Sequence, residues 1–85
     1  MEIEVNKIYR TREGNTVLVT KELRAPQAFK WSYDVILIQD NDDYILGDGW
    51  HSTPEGNFWE DSASSCKEDL VELIGDRSTH PEYFL

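Results

Sequence analysis

The chain has 85 residues, of which 17 are acidic and 8 are basic, and its formal net charge is −9. A chain of this length has room for one domain with a modest core, which argues against a large enclosed active site. No apolar run approaches the ~20 residues that cross a bilayer, the start lacks a signal-peptide pattern, and Cys66 is the only cysteine. We therefore expect a soluble protein of the reducing cytoplasm, without an internal disulfide.

A β-hairpin is predicted near the start of the chain. Residues 8–12 alternate in polarity, Gly14 can take the positive φ of a tight loop, and residues 16–23 are rich in β-branched side chains. Residues 24–30 then interrupt the pattern, because Pro26 has no amide hydrogen to donate to a sheet. This interruption is expected to be a loop.

The core of the domain is predicted at a second hairpin, over residues 31–46. Along its first arm one face carries Trp31, Tyr33, Val35 and Leu37. The other face is polar at its start and apolar at Ile36 and Ile38, so the strand is expected to be buried on both sides at one end. A polar tip at residues 40–43 and a second arm at residues 44–46 complete the predicted hairpin.

The elements that follow are shorter. Residues 50–53 predict a strand, residues 54–57 predict a tight turn with its proline and glycine, and residues 58–60 are the expected partner of that strand. Residues 69–74 fit either a helix or a final strand, because their apolar spacing matches both periods. Gly75 is expected to end that segment in either case.

Together these patterns predict a mainly β fold. The expected architecture is a small, strongly bent antiparallel barrel of the SH3-like type, with five to six strands and room for a short C-terminal helical turn. The barrel domain is expected to cover residues 1–75, followed by a tail at residues 76–85. The tail ends in Tyr83, Phe84 and Leu85, which we expect to dock on the chain's own barrel rather than to anchor a partner.

Short motifs at three places carry a resemblance to a known group of proteins. They are Tyr9-Arg10-Thr11-Arg12-Glu13-Gly14, Trp50 with Pro54-Glu55-Gly56, and Asp69-Leu70-Val71. Over residues 5–75 the chain resembles short uncharacterised proteins of bacteriophages and prophages that have small SH3-like barrels. The resemblance implies this fold and a phage origin, and it supplies no catalytic residues. The chain departs from the group in its acidic hairpin tip and in its tail.

Motifs for metal binding and catalysis are weak. The acidic run at residues 40–43 lacks the calcium-loop pattern, because Tyr44 and Ile45 stand where an oxygen ligand and a glycine are needed. The two histidines and Cys66 lack the spacing of a zinc site, and a lone cysteine is more often packed than catalytic. We therefore predict a protein that is not an enzyme and that has no metal and no cofactor.

Charge is distributed unevenly along the chain. Residues 1–38 carry six basic and five acidic side chains, whereas residues 39–85 carry two basic and twelve acidic ones. An acidic half of this kind is expected to steer toward cationic partners, and nucleic-acid-handling proteins present basic surfaces. The predicted function is that of an acidic, phage-encoded interaction protein that inhibits or redirects such a host protein, as in counter-defence. The predicted partner-binding residues are Asp40, Asp42, Asp43, Asp48, Trp50, Glu55, Trp59, Glu60 and Asp61.

Two other functions are left open by the sequence. An SH3-like module could bind nucleic acid or peptides through its basic first half, with Tyr9 and Phe29 as stacking platforms. The basic residues concerned are Arg10, Arg12, Lys21, Arg24 and Lys30. The net charge disfavours direct nucleic-acid binding. The third interpretation is a structural or assembly component of a phage particle, which predicts self-association.

Overall fold

The computed structural model describes residues 2–23, 32–40, 43–44, 49–58 and 65–84. These residues form five strands and one turn of 3-10 helix: β1 (Lys7–Thr11), β2 (Thr16–Leu23), β3 (Ser32–Gln39), β4 (Gly49–Ser52), β5 (Leu70–Asp76) and the turn Pro81–Tyr83. All strands pair antiparallel in one sheet of order β4-β3-β2-β1-β5. The prediction of a mainly β fold is therefore confirmed. No helix in the described segments is long and apolar enough to span a bilayer.

The first predicted hairpin is present as β1 and β2. Tyr9 pairs with Val17 in its register. The connecting loop turns at Gly14, whose φ is +99°, a value that residues with a side chain rarely adopt. Thr11 closes the loop, because its amide donates to the Asn15 carbonyl oxygen at 2.8 Å and its hydroxyl accepts from the Asn15 amide at 2.9 Å.

Two hydrophobic clusters lie on opposite faces of the sheet. The inner cluster consists of Ile3, Tyr9, Val17, Val19, Val35, Leu37 and Leu70, with Val5, Tyr33 and Trp50 packed against it. The outer cluster consists of Ile8, Leu18 and Ile38, with Ile36, Ile74, Tyr83 and Phe84 packed against it. The predicted two-sided burial of β3 is therefore confirmed: Val35 and Leu37 face one cluster, whereas Ile38 belongs to the other. Trp31 lies outside the described residues.

The partner of β4 differs from the prediction. β4 pairs with β3, with Trp50 opposite Val35, whereas Phe58 lies in a bend and not in a strand. Residues 59–60 lie outside the described part of the chain, as do residues 45–46 of the predicted second arm. Tyr44, the described residue of that arm, lies outside the strands. Pairing with β3 gives β4 a ladder of backbone hydrogen bonds and places Trp50 against the inner cluster. The bend at Phe58 provides no strand with which β4 could pair.

The turn after β4 connects the two edges of the sheet. Gly56 has a φ of +89° and donates its amide to the Thr53 carbonyl oxygen at 2.9 Å, as expected for a tight turn with Pro54 at its first corner. The Gly56 carbonyl oxygen accepts from the amide of Leu70, the first residue of β5, at 2.7 Å. The Pro54 carbonyl oxygen accepts from Ile3 at 2.9 Å. Edge strands β4 and β5 are thus linked through this turn, although they are not neighbours in the sheet.

The segment predicted over residues 69–74 is a strand from Leu70 onward, because Leu70 to Asp76 pair with β1. The expectation that Gly75 ends the segment is wrong, since Gly75 lies inside β5 opposite Ile8. A Cβ atom at Gly75 would overlap the side chains of Thr79 and His80, so glycine allows the chain to fold back over the strand. The helical turn lies in the tail, at Pro81–Tyr83, and not at residues 69–74.

The tail is held at both ends. The Asp76 carboxylate accepts hydrogen bonds from the Ser78 hydroxyl at 2.6 Å and from the Ser78 and Thr79 amides, and these bonds lower the pKa of Asp76. At the far end Tyr83 and Phe84 pack against the outer cluster. The predicted docking of these two tail residues on the chain's own sheet is confirmed, and Leu85 lies outside the described residues.

Candidate functional site

Four of the nine predicted partner-binding residues lie in the described part of the chain: Asp40, Asp43, Trp50 and Glu55. The other five, which are Asp42, Asp48, Trp59, Glu60 and Asp61, lie outside it. The candidate site is therefore built from the first four residues and from the side chains that surround them.

Asp40 and Asp43 close the tip of the hairpin that follows β3. The Asp40 amide donates to the Asp43 carbonyl oxygen at 2.8 Å, and the Asp43 amide donates to the Asp40 carbonyl oxygen at 3.0 Å. Directly opposed residues of an antiparallel pair project their side chains to the same face, with Cα atoms about 5.5 Å apart. Asp43 is exposed, and its carboxylate has no ion-pair partner among the described residues.

The aromatic side chain next to this tip belongs to Tyr44. It is 66% exposed, more than any other large hydrophobic residue of the described segments. Its hydroxyl lies 3.4 Å from the hydroxyl of Tyr83, and the two ring centroids are 6.2 Å apart. The His80 ring stacks on Tyr83 at 6.0 Å. The hydrogen bond with Tyr44, aided by burial, raises the pKa of Tyr83 to about 12.

Glu55 lies at the other end of the sheet from the hairpin tip. It is exposed in the turn after β4, close to the start of β3, because Ser52 pairs with Tyr33. The tip follows the last residue of β3, and at about 3.3 Å per residue the strand measures more than ~20 Å. The structure therefore does not bring Asp40 and Asp43 together with Glu55.

Trp50 takes the position of a core residue. It stands opposite Val35 and packs against the inner cluster. Its indole nitrogen Nε1 is buried and finds no hydrogen-bond acceptor among the described residues. A half-buried tryptophan in this position stabilises the core through its packing contacts. Its role as a partner anchor stays a prediction.

Two carboxylates of the acidic half are paired with arginines of the basic half. Because β5 pairs with β1, Asp69 lies 3.6 Å from the Arg12 guanidinium and Glu72 lies 3.5 Å from that of Arg10. Asp69 is only 2% exposed, and its carboxylate oxygens accept from the Phe58 and Cys66 amides at 2.9 Å each. The uneven charge of the sequence is thus partly cancelled along this edge, and Asp69 connects Phe58 with Cys66 through these two hydrogen bonds.

Tyr9 does not provide the stacking platform that nucleic-acid binding through the first half would require. It is 1% exposed, its hydroxyl accepts from the Glu4 amide at 2.9 Å, and burial raises the pKa of its phenol. Arg10 and Arg12 are each paired with a carboxylate of the acidic half. A buried ring cannot stack on a base, so this expectation for Tyr9 is wrong. Lys21 is exposed, and residues 24–30 lie outside the described part.

His51 and Cys66 have separate partners. His51 Nε2 lies 3.0 Å from an oxygen of Asp34 on the neighbouring strand. The Cys66 thiol donates to a Glu68 carboxylate oxygen at 2.6 Å, and this hydrogen bond raises the pKa of the thiol. No group of three or more His, Cys, Asp or Glu residues in the described segments is arranged to hold a metal ion.

We compared the chain with models of protein families, with curated proteins and with solved structures. None of them matches it. The resemblance to small phage proteins therefore gains no support from these comparisons.

Sequence reasoning missed the contact between the hairpin tip and the tail. Tyr44 and Tyr83 are separated by 39 positions, and the sequence predicted Tyr44 in the second arm of a hairpin and Tyr83 in the tail, without a contact between them. The apolar end of the tail was the one available signal, and it indicated docking without indicating the place. The described structure puts Tyr83 beside the acidic tip as well as against the outer cluster.

Proposed function

We propose that this chain is a non-enzymatic, acidic interaction protein that binds a basic surface of a nucleic-acid-handling host protein and inhibits or redirects it. In this proposal it acts in the bacterial cytoplasm and is encoded by a bacteriophage or prophage. Carboxylates of the chain take the place of phosphates on the partner, which gives fast, salt-dependent association.

The observation that supports this proposal best is the exposed tip beyond β3. Its Asp43 carboxylate has no ion-pair partner among the described residues, and the next residue in the chain is the exposed Tyr44. A carboxylate whose charge is not balanced by the described residues is available to a cation from outside. Tyrosine is among the residue types favoured at the energetic centre of interfaces.

Ion pairs and a hydrogen bond within the chain argue against the competing functions. Arg10 and Arg12 are engaged by β5 carboxylates, so the first half offers fewer free cations for phosphate than its composition suggests. The Cys66 thiol is held by Glu68 in a state that disfavours the nucleophilic thiolate. These contacts favour an interaction protein over a nucleic-acid-binding module or a cysteine-dependent enzyme.

We also propose that the sheet bends into a small barrel of the SH3-like type. The support comes from the link between the two edge strands through the turn after β4, where the Leu70 amide donates to Gly56. The inner cluster, which draws residues from β1, β2, β3 and β5, would then be the barrel interior.

An assembly component is the second candidate, and one observation favours it. Val71 and Leu73 are 45% and 50% exposed on β5, the strand at one edge of the sheet. Exposed aliphatic residues on an edge strand are a route to pairing with another copy. Light scattering behind size exclusion, compared between the wild type and Leu73→Lys, tests this: a mass that stays at 9.9 kDa at all concentrations removes the candidate.

The main proposal is tested by capture from a bacterial lysate at about 0.05 M and about 0.5 M salt. We expect the immobilised protein to retain basic, nucleic-acid-binding proteins at low salt and to release them at high salt. The triple variant Asp40→Asn, Asp42→Asn, Asp43→Asn should retain much less. The matched control is Glu2→Gln, Glu13→Gln, Glu72→Gln, which removes the same three charges elsewhere and should still capture the partner.

The proposal is abandoned if the captured proteins are neutral or acidic, if capture is insensitive to salt, or if both triple variants behave like the wild type. A retained protein is then tested for inhibition of its own nucleic-acid binding by the purified chain.

A further inference from the structure

Tyr44 is held in place by the tail. Its hydroxyl lies 3.4 Å from that of Tyr83, and the Tyr83 ring stacks with His80 and packs against the outer cluster. The exposed ring of Tyr44 is therefore supported by a side chain that is itself fixed to the core. A ring that is ordered before binding loses less conformational entropy when a partner arrives.

Each of the two tyrosines follows an acidic residue in the chain. Asp43 precedes Tyr44 in the chain and lies opposite Asp40 in the hairpin tip. Glu82 precedes Tyr83 and is exposed, and like Asp43 it has no ion-pair partner in the described segments. Two exposed carboxylates thus directly precede, in the chain, the two tyrosines whose rings are in contact.

This combination fits the guanidinium group of arginine. A guanidinium is planar, stacks on an aromatic face, and donates hydrogen bonds in its plane to carboxylate oxygens, whereas the lysine ammonium is a compact, strongly hydrated point charge. The tail already contains such a contact, because the Arg77 guanidinium carbon lies 4.9 Å from the centroid of the Phe84 ring.

We propose that the hairpin tip and the docked tail form one binding surface for arginine side chains of a basic partner, with Tyr44 as its aromatic anchor and Asp43 as its principal carboxylate. This inference rests on the proposed function and specifies its contact site. The tail is a part of the surface and not an independent appendage, since Tyr83 supports the Tyr44 ring. Loss of tail docking therefore weakens binding even where every carboxylate of the tip is retained.

Titration with a nona-arginine peptide at low salt, followed by calorimetry and by NMR shifts of the tyrosine rings, tests this inference. Asp43→Asn should weaken binding about fivefold, since an exposed charge contact contributes on the order of 1 kcal/mol. Glu55→Gln is the matched control, because it removes one charge at the other end of the sheet and should change the affinity by less than about twofold. Nona-lysine should bind several-fold more weakly than nona-arginine.

The rings are tested separately. Tyr44→Ala should weaken nona-arginine binding about threefold to tenfold, whereas Tyr44→Phe, which keeps the ring face, should retain most of the affinity. Tyr83→Ala should also weaken binding while the inner cluster stays folded, which the urea midpoint of the same variant reports. Wild-type titration should shift the ring protons of Tyr44 and Tyr83 in a saturable way.

The outcomes separate this inference from the function on which it rests. If nona-arginine binds but Asp43→Asn and Glu55→Gln weaken it equally, the shared surface is refuted while an acidic interaction protein stands. If Tyr44→Ala binds as tightly as the wild type, the aromatic anchor is refuted. If neither polycation binds in a saturable way at low salt, the proposed function fails together with the inference.

Discussion

Replacement of Asp69 by asparagine should destabilise the fold far more than its position beside a loop suggests. The carboxylate is nearly inaccessible to solvent, and its two oxygens each accept a backbone amide, from Phe58 and from Cys66. Arg12 lies 3.6 Å away and balances its charge. An asparagine side chain has one acceptor oxygen, so its amide nitrogen would face a backbone N–H that then has no partner.

The magnitude follows from these contacts. A hydrogen bond to a charged acceptor contributes about 1.5–3 kcal/mol, and a buried donor left without a partner costs about 1–3 kcal/mol. The partly exposed pairing with Arg12 adds no more than about 1 kcal/mol. We therefore expect Asp69→Asn to lower the free energy of unfolding by about 2–4 kcal/mol. A domain of this size is expected to have about 4–13 kcal/mol in total, so the variant should fold but with a small margin.

Urea denaturation followed by tryptophan fluorescence measures this loss. With an m value of about 1 kcal/mol per M, the midpoint should fall by about 2 M or more. Glu72→Gln is the matched control: it also converts a carboxylate paired with an arginine into an amide, but on an exposed pair, and should cost less than about 1 kcal/mol. Equal midpoints for the two variants would refute the argument that the hydrogen bonds of Asp69 to Phe58 and Cys66 stabilise the fold.

Three further predictions concern single groups. Because the hydrogen bond to Glu68 raises the pKa of the Cys66 thiol, alkylation by iodoacetamide at pH 8 should be slower than that of free cysteine, and Glu68→Gln should accelerate it; equal rates would contradict this contact. Gly56→Ala should cost about 1–2 kcal/mol in urea denaturation, because alanine is strained at a φ of +89°; an unchanged midpoint would show that the turn tolerates a side chain. Burial raises the pKa of Tyr9, so its stabilising contribution is complete below about pH 10 and is lost as the pH rises through the folded-state pKa. Tyr9→Phe should reduce this loss of stability at alkaline pH. A dependence of unfolding free energy on pH that is identical to that of the wild type would refute the role of Tyr9.

The parts of the fold that could be predicted from sequence are those governed by neighbouring residues. Gly14 and Gly56 both take positive φ in tight turns, as expected where a side chain would clash with its own backbone. The alternation along β3 assigned Val35 and Leu37 to one face and Ile38 to the other, because the strand period of two is a local property of the chain.

The predictions that were wrong concern residues whose structure depends on contact with a distant strand. The apolar spacing of residues 69–74 fits both helix and strand, and only the vacant edge of β1 makes them a strand. The predicted partner of β4 was wrong at Phe58 for the same reason, because β4 pairs with the more distant β3 and Phe58 lies in a bend. The charge asymmetry along the chain also overstated the anionic surface, since β5 brings acidic residues beside Arg10 and Arg12.

The sequence by itself determined that this protein is a small, acidic, mainly β domain with tight glycine turns and a strand buried on both faces, and it favoured docking of the apolar tail end. These properties follow from composition, side-chain period and backbone sterics, which act over a few residues. Only the tertiary structure decided which strands pair, which carboxylates are neutralised and that Tyr83 of the tail meets Tyr44 beside the acidic tip. Such contacts depend on how the whole sheet brings distant segments together, so no local pattern specifies them.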